Sequence, residues 1–208
     1  MTAESTVFVV DDNAGVRKGL TALLESAGIA VETYATAEEF LAAVMPGRRG
    51  CLILDVRLRN SDGLDVQDEL RRRKSSLPVI VLTGHGNVPT SVRALKAGAV
   101  DFLQKPMPPE QMLERIRAAL EQDREAHMVA AEQSAVLEAM SALTPREREV
   151  MEHLLAGRSS KEIASAMQIS VRTVEGHRRI VFSKLGVSSA AQLVRVVLGA
   201  RGPQTPRS

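Results

Sequence analysis

The chain has 208 residues, 44% of them apolar and 25% charged, with a formal net charge of +2. That is enough for two globular, soluble domains with real cores. One cysteine and four scattered histidines argue against a closed zinc site, and no apolar run approaches the length of a membrane span. The N-terminal MTAESTVF lacks the charged and apolar regions of a signal peptide, so the expected location is cytoplasmic.

Charge is unevenly placed. Residues 1–120 carry 15 basic and 15 acidic side chains, 121–143 carry one and five, and 144–208 carry 11 and five. A neutral module followed by an acidic stretch and a basic module suggests that only the last meets a polyanion.

In chain order the pattern reads strand 6–10, helix 13–27, strand 29–34, helix 36–45, strand 50–55, helix 63–74, strand 78–83, helix 88–97, strand 100–103 and a helix from about 109. The strand runs TVFVV, CLIL, LPVIVL and VDFLQ are aliphatic or β-branched and too short for helices. Cys51, inside one of them, reads as a small core residue. Short apolar strands alternating with helices predict an open, parallel α/β sheet, whose ligand crevice lies beyond the carboxyl ends of the strands. Four of those ends carry Asp11-Asp12, Asp55, Thr83 and Lys105-Pro106. Three carboxylates sharing a crevice repel one another, and a hard divalent cation, Mg2+, resolves the repulsion. A carboxylate can also attack phosphorus, with Lys105 pairing with phosphoryl oxygens and Thr83 hydrogen-bonding one of them. Gly84-His85-Gly86 is a GxG fragment without the strand–helix context of a dinucleotide site.

At these residues the sequence resembles the receiver domain of two-component response regulators, and TGHGNVPTSVRALKAGAVDFLQKP (83–106) is similar to the NarL/FixJ group. The resemblance implies a five-stranded, doubly wound, flavodoxin-like receiver over 1–120. It implies that Asp55 accepts the phosphoryl group. Asp11, Asp12, Asp55 and the backbone carbonyl of Arg57 would hold Mg2+, Thr83 and Lys105 would sense the phosphate, and Phe102 would be the aromatic switch position. A cis bond is implied before Pro106. The chain departs from the family at Leu58-Arg59-Asn60, where a Met-Pro-Gly-like turn is usual.

Residues 109–143 favour helix throughout. Met112, Leu113, Ile116, Ala119 and Leu120 form a core stripe; beyond Gln122 the apolar residues thin out. The stretch 121–143 reads as a helical linker, either an exposed acidic connector or a helix that pairs in a dimer.

Residues 144–208 form the third segment, with four helices over 144–199. Thr144-Pro145-Arg146-Glu147 and Ser159-Ser160-Lys161-Glu162 are capping boxes, Ser170 caps a third helix and Ser189 opens a fourth. Two short helices joined at Gln168-Ile169-Ser170 make a helix-turn-helix pattern, whose second helix enters the major groove of double-stranded DNA. LTPREREVM, KEIA, TVE and KLGVSS resemble the LuxR-type DNA-binding domain. The resemblance makes 171–184 the recognition helix, with Glu175, Gly176 and Arg179 facing the groove, Lys161 and Thr173 facing phosphate, and the last helix dimerising. Arg172, Arg178 and Lys184 add positive charge on or near that helix. Ser160 stands where many relatives have asparagine, which would weaken one local contact.

The whole resembles a phosphorylation-dependent, DNA-binding transcription regulator. A sensor histidine kinase would phosphorylate Asp55, a homodimer would form, and promoter binding and RNA polymerase would follow, with activation the commoner outcome in the family. Catalysis would be limited to self-phosphoryl transfer and autodephosphorylation. Three alternatives stand beside it. One is a phosphohydrolase with an aspartyl intermediate, which would want a second carboxylate where Arg57 stands. The others are a sigma-factor-like promoter subunit and a regulator whose acid site is vestigial.

Overall fold

The computed structural model describes residues 5–44, 47–58, 61–84 and 88–201. Arg59-Asn60, His85-Gly86 of the GxG fragment, and all but Arg201 of the tail 201–208, expected to be disordered, lie outside the described residues; Arg201 ends a helix.

The chain divides into two compact units, residues 1–127 and 128–208. In the first, β1 (Thr6–Val10), β2 (Ala30–Tyr34), β3 (Gly50–Asp55), β6 (Val79–Thr83) and β7 (Asp101–Gln104) pair in parallel in the order β2-β1-β3-β6-β7. This is the predicted five-stranded sheet, with helices α1 (Ala14–Ser26), α2 (Ala37–Ala43), α3 (Gly63–Arg72) and α4 (Val88–Lys96) between the strands. Helix α5 (Pro109–Ser141) follows. One short antiparallel ladder not expected from the pattern, β4 (Arg57–Leu58) with β5 (Ser61–Asp62), follows β3.

Alternation along the strands sets the layers. Val7, Val9, Cys51, Ile53, Ile80 and Leu82 face Leu20 and Leu24 of α1 and Met112, Ile116 and Ala119 of α5. Phe8, Val10, Leu52, Leu54 and Val81 face Phe40 of α2, Leu64 and Leu70 of α3 and Ala94 of α4. Both sheet faces are therefore covered, which is why the strands read as unbroken apolar runs. Each fully buried Val, Leu, Ile or Phe contributes about 1.5–3 kcal/mol of transfer free energy.

Two glycines fix close approaches. Gly50 sits at φ +138°, and a Cβ there would lie 1.8 Å from the Thr6 carbonyl oxygen. Gly63 opens α3 so close to β3 that a Cβ would lie 2.1 Å from the carbonyl oxygen of Asp55. The missing side chain lets α3 begin against the residue that carries the site.

The linker is helical and mostly exposed, with two anchored points. Helix α5 is continuous, and the first unit extends past residue 120 to His127. Asp123 is fully buried, with its carboxylate 3.5 Å from Arg49 Nε and 3.4 Å from His127 Nε2. Farther along, the half-buried Val136, Ala139 and Met140 pack against the second core. The sparse apolar pattern hid both, because one anchor is a charge and the other a half-stripe.

The second unit holds α6 (Pro145–Leu155), α7 (Ser160–Met167), α8 (Val171–Lys184) and α9 (Ala190–Arg201). Both capping boxes form: Thr144 and Ser159 accept from the backbone N–H of Glu147 and Glu162, whose carboxylates accept in return. Ser170 caps α8, and Ser189 Oγ accepts from Gln192 N at 3.1 Å. Val150, Met151, Leu154, Ile163, Val174, Val181, Leu193 and Val197 close one core.

Candidate functional site

Strand register assembles the first site. Val10 pairs with Leu54 and Asp55 with Leu82, so Asp11 and Asp55 leave neighbouring strands at one level. Thr83 pairs with Gln104, which brings Lys105 to the same end of the sheet. The Lys105 ammonium donates to Asp11 Oδ2 and Asp55 Oδ2, each at 2.6 Å. The second oxygens accept backbone N–H groups, Asp11 Oδ1 from Asn13 at 2.8 Å and Asp55 Oδ1 from Arg57 at 2.9 Å. Both carboxylates are thus gripped at both oxygens. Burial pulls the Lys105 ammonium toward neutrality, but hydrogen bonds to Asp11 and Asp55 and their negative charges outweigh it, and its pKa is raised.

Thr83 is buried, and its carbonyl accepts from Lys105 N at 2.8 Å. Phe102 is half-buried against the core under α4. The Lys105-Pro106 bond is cis, as the resemblance implied. Asp12 is half-buried on the same strand end. The sequence missed Arg17, whose Nη1 donates to the Asp11 carbonyl at 2.7 Å, and Arg93, which reaches Asp62 Oδ2 at 2.9 Å. Neither leaves a periodic or motif signal, since both act through space.

Two of the expected Mg2+ ligands, Asp11 and Asp55, lie together at this end of the sheet. Among the described residues no three acidic, histidine or cysteine side chains converge as a ready cage. Two hard carboxylates do converge, and they hold a cation already, the Lys105 ammonium. A donor set of this kind suits Mg2+.

The second site lies on α8. Arg172, Thr173 and Arg179 are exposed, as is Lys161 on α7, so the expected phosphate- and groove-facing positions are open to solvent. Thr173 sits at the start of α8, its hydroxyl 2.8 Å from Ser170 Oγ. A Cβ at Gly176 would meet nothing within 4 Å, so this point of the helix presents bare backbone. Glu175 accepts a hydrogen bond from Ser160 Oγ, and Arg178 Nη1 lies 3.6 Å from the same carboxylate. The serine expected to weaken a contact makes one. Arg178 is drawn back, its guanidinium 5.1 Å from the Phe182 ring centroid.

Lys184, also expected among the DNA contacts, donates its ammonium to Glu147 Oε2 at 2.7 Å and to the Ala142 carbonyl at 3.1 Å. The pair ties the end of α8 to the capping box of α6, and the lysine side chain keeps about a third of its surface exposed. The hydrogen bond from Lys184, then that from the Thr144 backbone, holds the Glu147 carboxyl below its usual range. A depressed carboxylate contributes stability fully above its unfolded pKa, about 4.3, and loses it as pH falls through the lower folded value. Lys184→Met should therefore destabilise α6 and α8 more at pH 7 than at pH 3.5. Hydrogen exchange of their amides at both pH values measures the gap; an equal gap at both would remove Glu147 as the cause.

Family models match both units: the response regulator receiver domain over residues 7–117, and the luxR family of bacterial regulatory proteins over residues 141–197. The chain is a response regulator of the NarL/FixJ group. It is 43% identical to the transcriptional regulatory protein TdiR of Thauera aromatica over 194 residues, which span 93% of this chain and 86% of TdiR. It is 38% identical to the transcriptional regulatory protein FixJ of Bradyrhizobium diazoefficiens, over 96% of this chain and 98% of FixJ. Among solved structures, that of the response regulator StyR aligns with a TM-score of 0.84 at 39% identity, covering 94% of this chain and 98% of StyR. The response regulator thus joins a receiver, which implies a sensor kinase partner, to a LuxR-type module, which implies DNA. It is a phosphorylation-dependent transcription regulator. No helix among the described residues is long and apolar enough to cross a membrane.

Proposed function

We propose that Asp55 takes a phosphoryl group from a phosphohistidine of the sensor kinase, and that this drives dimerisation, promoter binding and transcription activation. The observation that carries the reading is the Lys105 ammonium bridging Asp11 and Asp55 at the sheet's carboxyl end, in a chain that also holds an exposed basic recognition helix. In the transfer an Asp55 Oδ–P bond forms as the histidine N–P bond breaks, and in hydrolysis water takes the phosphoryl group back. Lys105, already 2.6 Å from Asp55, is placed to pair with the new phosphoryl oxygens, and Thr83 to hydrogen-bond one of them. Asp11, Asp12, Asp55 and the Arg57 carbonyl are the groups that would hold Mg2+, which supplies charge neutralisation. The new charge redirects Lys105 and biases the region of Thr83 and Phe102. A dimer then presents two basic domains to paired half-sites and recruits RNA polymerase. Catalysis is confined to this self-transfer and hydrolysis: position 57, where a phosphohydrolase would want its second carboxylate, is arginine. The protein works in the cytoplasm.

The test treats the full chain with acetyl phosphate and Mg2+, then with beryllium fluoride. Wild type should take up one phosphoryl group per chain, and with the mimic its dimer fraction in sedimentation and its DNA affinity should rise together. Asp55→Asn should do neither. Equal labelling of Asp55→Asn and wild type would overturn the acceptor assignment, and an unchanged monomer–dimer balance would overturn activation by dimerisation.

A further inference from the structure

Glu175 is an anion on the face of α8 expected to meet polyanionic DNA, next to Arg172 and Arg179 rather than buried away from them. Free to rotate, an exposed glutamate there repels phosphate and loses rotamer entropy on docking. Its position is not free. Ser160, the first residue of α7, donates its hydroxyl hydrogen to Glu175 Oε1, and the Arg178 guanidinium flanks the same oxygen at 3.6 Å. Arg178 is in turn held over the Phe182 ring. Oε1 is therefore occupied from two sides, while Oε2 has no hydrogen-bond partner among the described residues. The chain of contacts runs from one helix of the helix-turn-helix to the other and leaves one acceptor oxygen on an exposed side chain.

We propose that Ser160 is a positioning residue for DNA specificity: it holds Glu175 so that the free carboxylate oxygen accepts a hydrogen bond from the N4 amino group of a cytosine in the major groove. A carboxylate offers acceptors only, and among major-groove edges cytosine presents the amino donor without a neighbouring ring acceptor to repel an anion, whereas adenine N6 is flanked by N7. Fixing the rotamer before binding removes the ordering cost that would blunt the preference. Arg178 contributes by neutralising part of the glutamate charge near phosphate, not by reading a base. The inference rests on the proposed DNA-binding function and adds the base class it reads and the side chain that sets it.

The experiment is selection of duplexes from a randomised library by the full-length chain with beryllium fluoride and Mg2+, followed by titration of matched duplexes that differ at one pair. Wild type should enrich a cytosine at one position of each half-site. Glu175→Gln should move the preference there to adenine, since an amide pairs with adenine N6 and N7. Ser160→Ala should lower the ratio of affinities for cytosine and thymine duplexes at that position about tenfold, and Ser160→Thr, which keeps the hydroxyl, should restore it. A merely structural serine would weaken both duplexes in parallel and leave the ratio alone, and that result overturns the proposal. An enriched site whose preferences do not change in Glu175→Gln overturns it as well. No enriched sequence at all would instead overturn the DNA-reading function on which it rests.

Discussion

Replacing Arg49 with methionine should destabilise the first unit by about 3–5 kcal/mol, more than replacing its partner Asp123 with asparagine. The asymmetry follows from exposure. Asp123 is wholly buried in α5, while the Arg49 side chain keeps a fifth of its surface in water. Removing the arginine strands a buried anion; removing the carboxylate leaves a cation that still reaches solvent. Neither Asp123 oxygen has a hydrogen bond among the described residues, and Arg49 Nε has none either, so the pair is held by charge rather than by good donor geometry. His127 Nε2, 3.4 Å from Asp123, offers a second cationic group only when protonated. The charge of Asp123 is felt nearby: the Cys51 thiol is pushed up to about 12, by burial first and by Asp123 second. Urea unfolding of the full chain tests the order. The chain has one tyrosine and no tryptophan, and Tyr34 lies in β2, so its emission reports the first unit. With a slope of about 1.5–2 kcal/mol per molar, Arg49→Met should shift the midpoint by roughly 2 M. An Asp123→Asn loss as large as that of Arg49→Met would mean that the buried anion is not what the arginine holds in place.

What the sequence makes legible is whatever repeats or caps. The four strand ends are visible because β-branched runs stop at polar residues, and the parallel register then brings Asp11, Asp55 and Lys105 to one place without further help. The capping boxes at Thr144 and Ser159 are local chemistry within four residues, and both form. Contacts between charged side chains distant in sequence have no such signature. Asp123 reads as one more solvated acid after the stripe ends at Leu120, yet 74 residues of chain separate it from the arginine it meets. Lys184 looks like any cation near a recognition helix until its 2.7 Å contact with Glu147 is seen. Ser160 reads as a weakened position because the residue that it serves, Glu175, lies on the next helix.

Lys105→Met should make the receiver less stable without divalent cation and more responsive to it. Two carboxylates share one ammonium at 2.6 Å, and Asp11 is almost fully buried. Deleting the cation leaves like charges facing each other. The Lys105 side chain is 22% exposed, so screening trims the loss below that of a fully buried pair, to about 2 kcal/mol. The Lys105 pKa is raised, so its contribution is complete below the unfolded lysine value, about 10.4, and disappears only as pH climbs through the higher folded value. The loss in Lys105→Met should therefore be flat across neutral pH. Mg2+ should stabilise both proteins, the variant more. In wild type it must approach carboxylates already neutralised by a fixed positive charge; in Lys105→Met that repulsion is gone. Even with water-like screening, a divalent ion that shares two carboxylates with an ammonium would be opposed by about 1 kcal/mol or more, so affinity should rise about tenfold. By linkage, saturating Mg2+ should then add about 1.4 kcal/mol more stability to Lys105→Met than to wild type. Unfolding of both chains in chelator and in excess Mg2+, again read at Tyr34, gives all four midpoints. Equal Mg2+ shifts in the two would show that the ion does not compete with Lys105, and would move the metal away from the Asp11–Asp55 pair.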